Sequence, residues 1–577
     1  MSSLSSRSGF RLDSESVSSP SHHPTAPLSS GLTARSITAG LVLSVVLCAM
    51  NSYLTLSFGV IEEGPTIAAL IFFALFFLAS RKITSTEMVI VATMGSAGGS
   101  LGFIANFYAA KAMTGAPYSI LDMALFGIVS SLVGMVMAIP LRQILVLREK
   151  LPWPMARAVE SVIDALIEHG DPRQPIFLLV TFVVGAVYVV LNGDGFGVVP
   201  SELKLGALAI YGGAIALSPF AIGGSYLFGM RTCVGFLVGA AVLMVMAPYT
   251  APYTPSMAEP HRYYWPGLGF LVASGLTTMA VNWKALSGGF RSMLSLRGKT
   301  EDDDPTLPAR AVVTFSVAVF VITALVLKWR FAVPFFLSIV LIVVAGLIQN
   351  IIATRAAAQT TFNPARVMGI LLQGVTSALG GARVETNLTG AGFVAGSGAQ
   401  SSMLTTDMVY GRAFRVPSRW QFWAQTSTIL PSAIVSAFVF AEIHAAKPLV
   451  LEGPGHPAPV AKMWAKSAQV FEGGMSALPP GALRWLLVAA AIGVVYTLVE
   501  CIPSIRRWMP ETIGLGLGLV LSPATGLSFF LGGFLMLIVL GRWLKMSDVT
   551  LTTIAVGSIV AEGIAGVLQA FLVQLVG

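Results

Sequence analysis

Apolar stretches recur along the chain from residue 36 almost to its end, separated by short polar or basic loops. They fall at roughly 36–58, 64–80, 86–108, 119–141, 175–192, 203–221, 226–248, 264–282, 309–328, 331–352, 366–382, 387–408, 420–443, 483–503, 510–521, 526–545 and 551–575. A membrane-crossing helix uses about 20 mainly apolar residues, and most of these stretches approach that length. The pattern predicts an all-α polytopic membrane protein of about 16 transmembrane helices, with limits of roughly 14 to 17 set by the short and glycine-interrupted runs.

Three segments depart from the pattern. Residues 1–30 hold 12 serines, several prolines and no apolar run, a composition that cannot bury enough surface to offset its ordering entropy. Residues 1–35 therefore read as a disordered cytoplasmic tail. The tail has no basic start followed by an apolar core of the kind a cleavable signal needs, so the first anchor is the span after Arg35. In segment 143–170, Leu147, Leu151, Val159, Val162, Ile163, Leu166 and Ile167 alternate with charged residues, which predicts an interfacial amphipathic helix broken at Pro152 and Pro154. Residues 297–310, with Glu301, Asp302, Asp303 and Asp304 between prolines and basic residues, read as a solvated linker between membrane units 36–296 and 311–577.

Composition sharpens this reading. Hydrophobic residues make up 55% of the 577 positions and only 62 are charged, where a soluble protein carries roughly a quarter charged. An ordinary soluble enzyme is excluded. The net charge of +8 does not point to nucleic acid, because its Lys and Arg lie in short loops such as Arg142–Arg173, Lys284–Lys299 and Arg412–Arg419. Placing those loops inside satisfies the positive-inside bias, with the N-terminus cytoplasmic, and the absence of a signal-peptide pattern together with the compact loops gives the cell (inner or plasma) membrane as the expected location. Lys328 and Arg330 disagree with that topology. Cys48, Cys233 and Cys501 sit singly in or at the edge of apolar runs and read as packing residues. No two histidines have ligand spacing on one helix, so neither a resident metal nor another cofactor is expected.

Self-comparison shows matches at an offset drifting near about 300 residues: Asn51 with Asn350, Pro65 with Pro364, Gly95-Ser96 with Gly396-Ser397, Ser100 with Ser401, and Leu217-Ser218-Pro219 with Leu521-Ser522-Pro523. Their common order predicts two related repeats, inverted if run 309–328 is a true span. Such repeats characterise transporters whose substrate sites lie where discontinuous helices meet near the midplane. Gly95–Ser100 and Gly396–Ser402 are corresponding glycine-rich segments and the expected places for broken or re-entrant helices. Close helix packing through small residues is the alternative. The clustered serines and Gln400 favour the first.

The chain resembles the oligopeptide transporter (OPT) superfamily, which includes peptide transporters and yellow stripe-like metal-chelate transporters. The resemblance rests on Asn387–Gly392, Ala399–Asp407, Tyr410-Gly411 and Pro417–Gln425, and also on Ser96–Leu101 after Glu87, Ile139–Arg142 with Leu151–Pro154, and Gly557–Gly563. It implies secondary active, usually proton-coupled, uptake of short peptides, modified peptides or metal chelates. The run Glu87-Met88-Val89, where the family commonly has Glu-Asn-Asn, and Met408-Val409 after Asp407, in place of Leu-Lys, depart from the pattern.

Ionisable groups inside spans are costly and are functional candidates by default. Glu87, Glu562, Glu385 and Asp407 are the expected proton-coupling residues. Each has a structural alternative: Glu87 as a helix cap beside Ser85, Glu385 paired with Arg383, Asp407 paired with Arg412. Asn51, Ser96, Ser100, Asn387, Gln400 and Ser401 are the expected substrate-binding residues, since neutral donors and acceptors suit a peptide backbone. The expected partners are a peptide or small-molecule substrate, protons and the lipid bilayer, with a homodimer possible in principle and nucleic acid excluded. The competing readings are carriage of a peptide-like secondary metabolite, a passive channel, and, outside transport, a scaffold or an intramembrane enzyme. An enzyme is disfavoured because no HExxH, paired aspartates within a span, or GxSxG at a plausible turn is present.

Overall fold

The computed structural model describes the chain from Gly31 to Val576 except residues 60–63, 80–81, 150, 169–172, 193–195, 247–260, 282–303, 305, 344–347, 360–364, 382, 452–454, 475–477 and 479–480. The serine-rich tail, His22, His23, His169, the basic loop Lys284–Lys299 and most of the acidic linker lie outside the described residues.

The described chain is almost wholly helical. Its first half contains α1 (Ala34–Phe58), α2 (Pro65–Leu78), α3 (Ser85–Gly102), α4 (Ala105–Thr114), α5 (Ile120–Leu141), α6 (Pro154–Glu168), α7 (Arg173–Leu191), α8 (Pro219–Phe228), α9 (Met230–Met246) and α10 (His261–Val281). The second half contains α11 (Ala309–Arg330), α12 (Phe335–Val343), α13 (Asn350–Gln359), α14 (Ala365–Ala378), α15 (Val384–Ala413), α16 (Ser418–Ala446), α17 (Pro459–Gly473), α18 (Ala482–Glu500), α19 (Pro503–Arg506), α20 (Thr512–Gly518), α21 (Pro523–Gly533) and α22 (Asp548–Val576). Among the described residues, nine helical stretches are long and apolar enough to cross a membrane. The chain is an all-α polytopic membrane protein.

Burial separates lipid-facing from central helices. The most apolar windows of α7, α11 and α18 are only 28%, 22% and 22% buried, so most of their surface faces outward, where the bilayer replaces protein. Helix α15 is the reverse: it is 30 residues long and buried from Thr386 to Gly411. It is too polar to count among the nine spans, yet it meets other helices rather than lipid, so its Ser, Thr, Asn and Gln can find partners.

Several expected features take another form. Gly95–Ser100 and Gly396–Ser402 are not breaks; both are helical throughout, inside α3 and α15. Their small residues serve close approach: a Cβ on Gly98 would lie 1.9 Å from the Ser44 carbonyl oxygen of α1. The interruption comes later, at Phe103–Ile104 between α3 and α4. The expected span at 203–221 contains instead an antiparallel hairpin, β1 (Glu202–Lys204) with β2 (Ala214–Ala216), around a 3₁₀ turn that begins at Gly206 and is closed by Gly212, with φ of +51° and +79°. Run 510–521 forms only the seven-residue α20.

Both Leu-Ser-Pro matches are helix starts. Ser218 and Ser522 cap α8 and α21 through their hydroxyls, and Pro219 and Pro523 occupy the first helical position, where a missing N–H costs nothing. The amphipathic segment is a π-helical Arg142–Arg148 followed by α6, which starts at Pro154 and buries Val159, Ile163 and Leu166. The linker is tied down at Asp304, whose carboxylate lies 3.7 Å from Arg142 and accepts from the Ser418 N–H at 2.6 Å.

Candidate functional site: a buried polar crossing

Helix α3 and helix α15 cross in opposite directions, each buried along the contact. Thr93 Oγ1 lies 3.4 Å from the Tyr410 hydroxyl, Ser96 donates to Asp407 Oδ2, and Ser100 donates to Gln400 Oε1 at 2.6 Å. Beyond the break, Phe107 of α4 packs at Gly392, and Lys111 reaches Glu385 at 2.6 Å. As the number rises on one strand of the crossing it falls on the other, so the two helices run antiparallel. Thr93, Ser96 and Ser100 share one face at helical spacing.

Asp407 is the most heavily engaged group of the crossing. The Tyr410 hydroxyl donates to its Oδ1 at 2.9 Å, and Ser96 donates to its other oxygen. Gln421 of α16 fastens the backbone here, with its Nε2 donating to the Asp407 carbonyl at 2.8 Å and to Thr93 Oγ1 at 3.0 Å. One turn further along α16, buried Gln425 leaves both amide atoms without a partner among the described residues. A buried amide in that condition is open to a water or a ligand.

Each half holds its glycine-rich helix in a similar way. Asn51 Nδ2 of α1 donates to the Gly99 carbonyl of α3 at 3.1 Å, while Ser397 Oγ of α15 donates to Asn350 Oδ1 of α13 at 3.3 Å. Ser401 faces Thr354 of α13 at 3.3 Å. Of the expected substrate-binding set, Ser100 and Gln400 therefore meet, Ser96 sits one turn away on Asp407, and Asn51 and Ser401 brace neighbouring helices. Asn387 lies about 20 Å along α15 from Gln400, at 1.5 Å per residue.

The four expected proton-coupling carboxylates are dispersed. Glu87 closes the capping box of α3 with Thr84 and takes both Arg35 Nε at 2.6 Å and Arg35 Nη2 at 2.5 Å, with Thr33 Oγ1 at 2.6 Å. Its structural alternative is realised with Thr84, not Ser85. Glu385 is more than half exposed and pairs with buried Lys111 rather than with Arg383. Glu562 is buried in α22 and caps α8: the Ser218 hydroxyl and the Phe220 N–H both donate to Oε2 at 2.6 Å. It has no ion-pair partner among the described residues. The positive end of α8 and these two donors stabilise negative charge there. A phenylalanine cluster flanks the cap, with Phe220 4.7 Å from Phe58 and 5.8 Å from Phe529 between ring centres.

Tyr410, Gln421, Gln425 and Thr93 were not among the expected site residues. The spacing of Asp407 to Tyr410, and of Gln421 to Gln425, places each pair on one helical face, and that signal was available. Among the described residues no group of three or more His, Cys, Asp or Glu is placed to hold a metal ion.

The family profile described as OPT oligopeptide transporter protein matches residues 31–573. The chain belongs to this family. A Saccharomyces cerevisiae protein named as a putative oligopeptide transporter is 23% identical over 209 residues, an alignment that takes in 34% of this chain and 28% of that protein. In this OPT-family chain the polar crossing and the Glu562 cap both fall inside the matched region.

Proposed function

We propose that this OPT-family protein is a secondary active, proton-coupled transporter that carries short peptides or peptide-like and metal-chelate small molecules across the cell membrane. Units 36–296 and 311–577 are its two related halves, and the N-terminus is cytoplasmic. The observation that carries this reading is the antiparallel crossing of α3 and α15, where equivalent segments of the two halves meet through Ser100 and Gln400. Inverted repeats meeting at buried polar groups are the architecture of alternating access, in which one half rocks against the other around a central site.

Glu562 is the favoured proton carrier. It takes or releases a proton without breaking an ion pair, and its two donors come from the start of another helix, α8, so its charge state bears directly on how α22 and α8 are joined. Glu87 and Glu385 each hold a basic partner, and Asp407 is committed to Ser96 and Tyr410.

The test is uptake of labelled di- to pentapeptides and of iron chelates into proteoliposomes under an imposed pH gradient. Accumulation that collapses with the gradient supports the reading. Flux that follows the substrate gradient alone, unaffected by proton ionophore, indicates a channel and overturns it.

A further inference from the structure

A second group of buried polar atoms lies away from the crossing, where α14, α15 and α17 meet. Two side-chain amides there are oriented by a chain of hydrogen bonds. Gln373 Nε2 donates to the Trp464 carbonyl at 3.0 Å, and Asn387 Nδ2 donates to the Gln373 carbonyl at 2.8 Å. Because each amide nitrogen is used on a backbone oxygen, each amide oxygen is the atom left over, and flipping either group would set oxygen against oxygen.

Asn387 Oδ1, Gln373 Oε1 and Thr376 Oγ1 have no hydrogen-bond partner among the described residues, and all three side chains are fully buried. They are neighbours. Thr376 lies one turn from Gln373 on α14, and a Cβ on Gly390, three residues beyond Asn387 on α15, would come 2.8 Å from Thr376 Oγ1. Without a side chain at Gly390 the threonine hydroxyl packs directly against the α15 backbone. Unmet buried acceptors of this kind are rare in native proteins, because each forfeits its bonds to water.

A cleft of about 320 Å³ lies at the start of α15, lined by Thr114, Arg383, Val384, Glu385, Gln469 and Glu472. Val384, three residues before Asn387, lies on the same side of α15, while Asn387, Gln373 and Thr376 are not themselves among the lining residues. The lining carries two carboxylates, Glu385 and Glu472, and one guanidinium, Arg383, and Glu385 is paired with Lys111.

We propose that the α14–α15–α17 junction is a binding site for a primary ammonium group, the free amino end of the carried substrate. A primary ammonium has three N–H donors and no acceptor, and the junction offers three oxygen acceptors. The proposal rests on the transporter reading above and assigns to it one end of the substrate.

Binding of trialanine and of N-acetyl-trialanine to the purified full-length protein, followed by thermal stabilisation over a concentration series, tests the proposal. The free-amine peptide is expected to bind at least an order of magnitude more tightly than the acetylated one, and Asn387→Leu and Gln373→Leu are expected to abolish that preference. Equal binding of the two peptides, binding of neither, or a preference that survives both substitutions overturns the site. The first comparison needs only the native chain, so a variant that fails to fold does not remove the test. Uptake of trialanine into proteoliposomes is measured separately: transport without amine preference sinks the ammonium site alone, whereas no transport of any peptide or chelate sinks the parent reading.

Discussion

Ser100 donates to Gln400 Oε1 at 2.6 Å although 300 residues of chain separate them, and both side chains are buried. The bond ties the two halves of the protein together at the crossing of two antiparallel helices. A buried neutral hydrogen bond contributes about 1 kcal/mol, and leaving one partner unmet costs about 1–3 kcal/mol. Ser100→Ala and Gln400→Leu are each expected to lower thermal stability by amounts in that range. The double variant is expected to lose less than their sum, by about 1 kcal/mol of coupling. Strictly additive losses would show that the contact does not join the halves energetically.

Glu562→Gln separates folding from proton movement. The amide oxygen of glutamine still accepts from Ser218 and from the Phe220 N–H, so the cap on α8 is retained and little change in melting temperature is expected. Gradient-driven accumulation is expected to fall by an order of magnitude or more, while exchange of labelled for unlabelled substrate continues. Full accumulation in this variant would remove Glu562 from the proton path.

Gly98→Ala is expected to be strongly destabilising. The added Cβ would lie 1.9 Å from the Ser44 carbonyl oxygen and 2.6 Å from its carbonyl carbon, both backbone atoms of α1. Neither can turn aside, so α1 and α3 must separate, at a cost of about 1–3 kcal/mol or more. Gly380→Ala is a control for steric crowding, since nothing lies within 4 Å of its Cβ position; its φ of +90° carries only local backbone strain. Equal melting temperatures for Gly98→Ala and the native protein would refute the close approach.

His456, in the loop between α16 and α17, gives a pH dependence. Its Nδ1 lies 3.1 Å from the Leu56 carbonyl and its ring meets Tyr53 edge-on. Burial, assisted by the charge of Lys447, pushes its pKa down to about 3. In the unfolded chain the ring titrates near its ordinary value of 6.5. Above that pH both states are neutral and the stability is fully present. As pH falls from about 6.5 toward about 3, the unfolded chain binds a proton that the folded one does not, so stability declines through that window. His456→Gln is expected to flatten that part of the stability profile. An unchanged slope would mean that another group sets it.

The hydrophobic pattern was sufficient for the class of protein, because a chain with this many long apolar runs has no soluble fold that could bury them. Sequence also located the Leu-Ser-Pro helix starts as matching features, since capping by Ser and Pro is a local property of the backbone. It singled out Ser100 and Gln400 individually. It could not pair them, because their meeting depends on two helices 300 positions apart running antiparallel. Glycine-rich helices and glycine-broken backbone have the same composition, so only packing decided that Gly95–Ser100 and Gly396–Ser402 are continuous helix. The four carboxylates looked alike as isolated charges in apolar runs. Tertiary structure distinguished them by their neighbours: Arg35 came to Glu87, Lys111 to Glu385, Ser96 and Tyr410 to Asp407, and only the start of another helix to Glu562. The energy of a buried charge is set by what surrounds it in space, and a linear sequence does not carry that information.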